Sequence, residues 1–118
     1  MQVAGMFRHV TDLVDFKAGE TVFRQGDAGD RMYVVREGEV DIQVADEVLE
    51  TVAAGGMLGE MALIDDSPRS ATAIVRADAK LAPVDQKLFT FLVQQTPYFA
   101  VQVMKTMADR LRRMDRKT

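Results

Sequence analysis

Residues 55–75 read GGMLGEMALIDDSPRSATAIV, and no other part of the chain constrains it as tightly. Gly59 precedes Glu60-Met61-Ala62-Leu63, a run of good helix formers. A glycine at the start of a short helix lets a ligand approach the exposed backbone N–H groups, which suit an anion. Pro68 pins a loop and Arg69 follows at once, where a guanidinium can offer a fork to a phosphate. Ser70 can add a hydroxyl donor and Ala71 a backbone N–H. Glu60 can accept hydrogen bonds from sugar hydroxyls. An acid beside an anion site makes sense for a ligand that carries both a phosphate and hydroxyls. Each residue alone has a plainer reading. Arg69 is then a surface ion-pair partner of Asp65 or Asp66, Glu60 a solvated helix carboxylate, Ser70 a turn or strand hydroxyl, and Gly59 a turn.

Outward from this stretch, the signals before it are strands and turns. Thr21-Val22-Phe23 is β-branched and aromatic, and runs into the turn-rich Gly26-Asp27-Ala28-Gly29-Asp30. Met32 to Val35 predicts a strand that stops at Glu37-Gly38. Val40, Ile42 and Val44 then alternate with polar residues, the period of a half-buried strand. Asp46-Glu47 is expected to turn the chain into a strand over Val48 to Val52, and Gly55-Gly56 breaks it again. Ser70 to Ala77 and Leu81 to Val84 complete the set. Short strands at such intervals suggest a sandwich or barrel.

From Gln86 the pattern becomes helical, with Leu88, Phe89, Leu92 and Val93 at helical spacing. Thr96-Pro97 punctuates, and a last helix is expected from Tyr98 to Asp115. Its Ala100, Met104, Met107, Leu111 and Met114 form a heptad-like stripe little more than two heptads long, which offers a homodimer contact. The fold class is therefore mainly β with C-terminal helices: a β-roll followed by a helical lid. One domain spans 1–118, with a short helix or arm over 1–14, the roll over 15–85 and helices over 86–118.

Composition narrows the function. The 118 residues suffice for one domain with its own core. The absence of cysteine excludes disulfides, thiolate metal sites and a cysteine nucleophile. A net charge of −3 argues against a polyanion partner but leaves room for a small anionic ligand at a local positive site. No apolar run approaches a membrane span and no secretory signal is evident, so a cytoplasmic protein without membrane partners is expected.

Taken together, Gly59-Glu60-Met61-Ala62-Leu63 and, after a short spacer, Pro68-Arg69-Ser70-Ala71-Thr72-Ala73 resemble the phosphate-binding cassette of cyclic-nucleotide-binding domains. That family includes catabolite-activator-type regulators, kinase regulatory subunits and gated channels. The stretch Ala18 to Asp27 resembles its early strand and turn. Tyr33-Val34-Val35 with Gly38-Glu39-Val40 resembles its next strands, and the helix ending Arg110-Leu111-Arg112-Arg113 resembles its closing helices. The resemblance implies a jelly-roll-like, double-stranded β-helix that binds a cyclic nucleotide. Glu60 would take the ribose 2′-hydroxyl and Arg69 the cyclic phosphate. Gly59, Met61, Ala62, Ser70 and Ala71 would line the pocket. Thr106 and Arg110, one turn apart on the last helix, would either reach the base or stay solvated. Ser70 stands where kinase-type domains differ between alanine and threonine, so cAMP and cGMP both stay open, with cAMP favoured by the look of the cassette. The chain departs from the family in its short N-terminal segment and in Met57-Leu58, where an aromatic is common. No helix-turn-helix domain follows, so DNA binding is not expected within this chain.

The function implied is a regulatory module that signals to a protein effector by repositioning its last helix, not an enzyme: no nucleophile, acid–base pair or metal cluster stands out. Two other readings remain open. One is a ligand-free roll that serves as a protein–protein interaction scaffold. The other is a cupin-like enzyme, which needs a histidine-rich metal site; His9 is the only histidine, so no metal is expected. Asp65-Asp66 reads as a solvated loop, and the basic run Arg110, Arg112, Arg113, Arg116 and Lys117 as cations suited to a helix C-terminus.

Overall fold

Two fourteen-residue strands carry the architecture. In the computed structural model, β3 (Arg31–Val44) and β6 (Thr72–Asp85) pair antiparallel almost end to end. The structure describes residues 13–117, with side chains as far as Arg113. The expected arm over most of 1–14, His9, and the side chains of Met114, Arg116 and Lys117 lie outside them. Around the central pair, β1 (Val14–Phe16) and β2 (Thr21–Phe23) line up on β6, while β4 (Glu47–Ala53) and β5 (Met57–Leu58) line up on β3. The result is one open, six-stranded antiparallel sheet, rolled on itself and followed by helices α2 (Gln86–Gln95) and α3 (Pro97–Lys117). A short helix, α1 (Met61–Asp65), interrupts it before β6.

The expected stop at Glu37-Gly38 is not there; β3 runs straight through it. The register instead shifts between Val35 and Val40, so the strand bends without ending. Gly38 makes the bend possible. Its φ is +88°, and a Cβ there would lie 2.3 Å from the Asp78 carbonyl oxygen. The two strands expected over Ser70–Ala77 and Leu81–Val84 are likewise one, β6. The β3–β4 turn falls one residue early, on Ala45-Asp46, both with positive φ. A two-residue turn of this hand matches the twist of paired strands, but Ala-Asp does not announce it as Asn-Gly would.

Both faces of the sheet are buried, by different partners. Inside the roll lie Val35, Val40, Val52, Leu58, Ala73, Val75, Ala79 and Leu81. Against the helices lie Met32, Val34, Met57, Leu63, Ala82 and Val84, with Leu92, Phe99 and Val103 from α2 and α3. Neighbours such as Val34 and Val35, or Leu81 and Ala82, therefore serve opposite cores. Asp85 caps α2 by accepting from the Leu88 N–H at 2.9 Å, and Phe89 meets Phe99 edge to face at 5.6 Å. On α3 the inward stripe is Phe99, Val103 and Met107, not the expected heptad series. Of that series Met107 packs on the core, Ala100 is half-buried, and Met104 and Leu111 are 59% and 55% exposed.

Candidate ligand-binding site

The site forms where the loop after α1 meets the turn after β2. Arg69 and Asp27 form a small bridge: the Arg69 N–H donates to the Asp27 carbonyl at 2.8 Å, and the Gly26 N–H to the Arg69 carbonyl at 2.8 Å. This fixes the Arg69 backbone and sends its side chain inward, where it is only 7% exposed. The guanidinium donates from Nη1 to the Gly59 carbonyl (3.1 Å) and from Nη2 to the Arg31 carbonyl (2.7 Å), and lies 4.1 Å from the centre of the Phe23 ring. Among the described residues no carboxylate comes within ion-pair distance of it, and its Nε is the buried side-chain polar atom left without a partner. Burial pulls its pKa down, with the nearby Asp30 and Asp27 charges acting the other way. The ion pair with Asp65 or Asp66 expected of an isolated arginine does not form. Asp65 accepts from the Ser67 N–H at 3.0 Å instead, and Asp66 ends α1 in a left-handed conformation.

Two glycines leave room for this guanidinium. A Cβ on Gly59, whose φ is +77°, would sit 2.5 Å from Arg69 Nη1. A Cβ on Gly29 would sit 2.6 Å from the Ala62 Cβ and 2.8 Å from Arg69 Nε. Gly59, Ala62 and Arg69 are thus brought together, with Gly29 and Phe23 as members that local sequence did not single out. Ala71 is buried, Met61 half-buried, and Ser70 exposed just before β6.

Glu60 lies beside Gly59 but faces a different partner. It is 1% exposed, and Arg110 of α3 donates to it from Nη1 at 2.5 Å. Arg110 also donates to Glu50 from Nε (2.9 Å) and Nη2 (3.4 Å), and to the Met57 carbonyl from Nη2 (2.6 Å). Its pKa is raised: burial works against the charge, and Glu60 and Glu50 outweigh it. Arg110 is therefore neither solvated nor free. Thr106, half-buried, lies one turn before it. Glu50 was not read from the sequence, since only strand register shows which acid faces Arg110.

A rolled antiparallel sheet thus carries in its loop layer a buried arginine with no carboxylate within ion-pair distance, and a helix packs across it. The family profile described as "Cyclic nucleotide-binding domain" matches residues 13–96, and the chain belongs to that family. Among solved structures, the chain is similar to the Thermus thermophilus catabolite activator protein, with 28% identity and a TM-score of 0.79, covering 90% of this chain and 52% of that one. It is also similar to the N-terminal domain of a transcriptional regulator from Streptomyces coelicolor A3(2), with 28% identity and a TM-score of 0.67, covering 97% and 83%. The cAMP-bound PfPKA-R (141–441) shares the fold at 21% identity, with a TM-score of 0.79 and coverage of 89% and 36%. The chain thus spans about half of the activator protein and about a third of PfPKA-R. No helix among the described residues is long and apolar enough to cross a membrane.

Proposed function

We propose that this domain binds a cyclic nucleotide, cAMP before cGMP, and transmits occupancy through α3 without catalysing a reaction. One observation carries the reading: the Arg69 guanidinium is buried without a carboxylate within ion-pair distance and its Nε has no partner. A buried charge calls for a counter-charge, and the cyclic phosphate supplies one. Glu60 then takes the ribose 2′-hydroxyl. Gly59, Met61, Ala62, Ser70 and Ala71 line the pocket, and Thr106 approaches the base. Arg110 links α3 to Glu60, so a ligand that engages Glu60 shifts the balance between docked and released α3. The exposed Met104 and Leu111 suit a homodimer contact, and light scattering that shows a monomer at high micromolar concentration with and without cAMP sinks that part. The effector is a protein, and the setting we propose is cytoplasmic.

A specific observation favours a second reading. Both terminal nitrogens of Arg69 already donate to backbone carbonyls, and Glu60 is already paired, as a ligand-free scaffold would have them. Thermal unfolding separates the two. At about 100 times Kd, a ligand stabilises by roughly 2.7 kcal/mol, a Tm shift on the order of 10 °C for a domain this size. Such a shift with cAMP or cGMP, lost in Arg69→Ala, is the expected result. No shift with either at millimolar concentration favours the scaffold.

A further inference from the structure

The apolar anchoring of α3 ends early. Phe99, Val103 and Met107 hold its first half on the core, but Leu111, one turn after Met107, is 55% exposed. From Arg110 onward polar contacts tie the helix to the roll, and one residue of β4, Glu50, takes two of its arginines. Glu50 receives Arg110 Nε at 2.9 Å and Nη2 at 3.4 Å, and its Oε1 lies 2.8 Å from Arg113 Nη1. Arg110 and Arg113 are three residues apart and share a helix face, so one carboxylate takes both. The Glu50 side chain is 20% exposed and that of Arg110 21%, so this pair is largely withdrawn from water, while Arg113, 47% exposed, reaches it from the solvent side.

The division of Arg110 is informative. Its Nε edge faces Glu50, its Nη1 faces Glu60, and Nη2 reaches the Met57 carbonyl. A guanidinium is planar and rigid, so fixing one edge fixes where the others point. We infer that Glu50 is a positioning residue: it seats Arg110 by the Nε edge so that Nη1 meets Glu60, and with Arg113 it keeps the second half of α3 on the roll. The inference rests on the cyclic-nucleotide reading only in that Glu60 belongs to the ligand site. A residue that touches no ligand then sets ligand affinity, because occupancy of Glu60 and docking of α3 both pass through the arginine that Glu50 holds.

The test uses Glu50→Gln, which keeps the shape and removes the charge, beside Glu50→Asp and Arg113→Ala. In ligand-free protein, Glu50→Gln is expected to speed amide exchange over residues 104–113 about tenfold, the loss of one charge-assisted hydrogen bond, and to leave β3 and β6 protected. Affinity for cAMP, or for cGMP if that is what the wild type binds, is expected to weaken by a similar factor. The gap between wild type and Glu50→Gln should narrow between about 50 mM and 500 mM salt, as screening weakens the ion pairs. Glu50→Asp should recover part of the loss, and Arg113→Ala should show a smaller effect of the same sign. Unchanged exchange over 104–113 in Glu50→Gln overturns the inference. So does faster exchange with unchanged affinity, which makes Glu50 structural only. If the wild type binds neither nucleotide, the cyclic-nucleotide reading falls, and the exchange arm still decides whether Glu50 seats the helix.

Discussion

The two withdrawn arginines of this domain solve the same problem in opposite ways. Arg110 meets two carboxylates and a carbonyl. Arg69 meets two carbonyls and an aromatic ring, with its Nε left without a partner. A guanidinium taken out of water needs an anion as well as acceptors. Arg110 has its anions inside the chain, so it serves the structure whether or not a ligand is present. Arg69 has none within ion-pair distance among the described residues, which leaves room for an anion from outside. The contrast separates a helix anchor from the proposed ligand-binding group more sharply than burial alone, which both share.

The largest expected effect tests that contrast directly. Arg110→Met leaves Glu60, 1% exposed, without its counter-charge. Removing one partner of a buried pair costs about 3 kcal/mol. Arg69→Met in ligand-free protein removes a buried cation that has no carboxylate, and the desolvation it relieves offsets the two carbonyl hydrogen bonds it loses, so its stability should change by no more than about 1 kcal/mol. Denaturant unfolding of the two variants gives both numbers. Equal destabilisation would show that Arg69 is a structural anchor like Arg110, and would count against a ligand role for it.

How much of this was legible in the sequence depends on whether the cause was local. The string from Gly59 to Ala73 carries its own turn, helix start and loop, so the family and the neighbourhood of Arg69 could be read from it. Strand limits were harder. Gly38 looks like a terminator in one dimension, but the sheet uses it to bend a continuous strand past the Asp78 carbonyl. The heptad-like stripe on α3 did not report which residues face the core, because spacing admits two apolar faces. Phe99 and Val103 became the inward one because the Phe89 ring lies across from Phe99. Glu50, Phe23 and Gly29 enter the site through pairing and loop packing across the fold, and nothing adjacent to them in sequence reports that.

A middle-sized effect is expected at Gly29. Its φ is not in the left-handed region, so backbone strain is not the issue; space is. A Cβ would press on Ala62 at 2.6 Å and on the Arg69 guanidinium at 2.8–2.9 Å. Overpacking of this kind costs about 2 kcal/mol. Because the guanidinium gives way more easily than the α1 backbone, Gly29→Ala should displace Arg69 and weaken cAMP binding by more than its stability loss alone explains. Arg110 and Glu60 should be undisturbed, which crystallography of the variant would show. A variant that loses stability but binds cAMP as the wild type does would mean that Arg69 tolerates displacement, and that the close fit at Gly29 serves packing only.

The smallest expected effect falls on Phe23, the aromatic half of what Arg69 has in place of a carboxylate. Its ring lies 4.1 Å from the guanidinium and stacks on Tyr33 with centroids 6.4 Å apart. Phe23→Leu keeps apolar bulk and removes the π face, while Phe23→Tyr keeps both. A cation–π contact out of water contributes about 1 kcal/mol, so Phe23→Leu should weaken cAMP binding by about fivefold and Phe23→Tyr by little. The sign matters because the ring competes with nothing: it attracts the cation without using an N–H, so it can hold Arg69 in place while Nε stays available to a phosphate. If Phe23→Leu binds cAMP unchanged, the carbonyls of Gly59 and Arg31 hold the guanidinium by themselves, and the ring beneath it is filler.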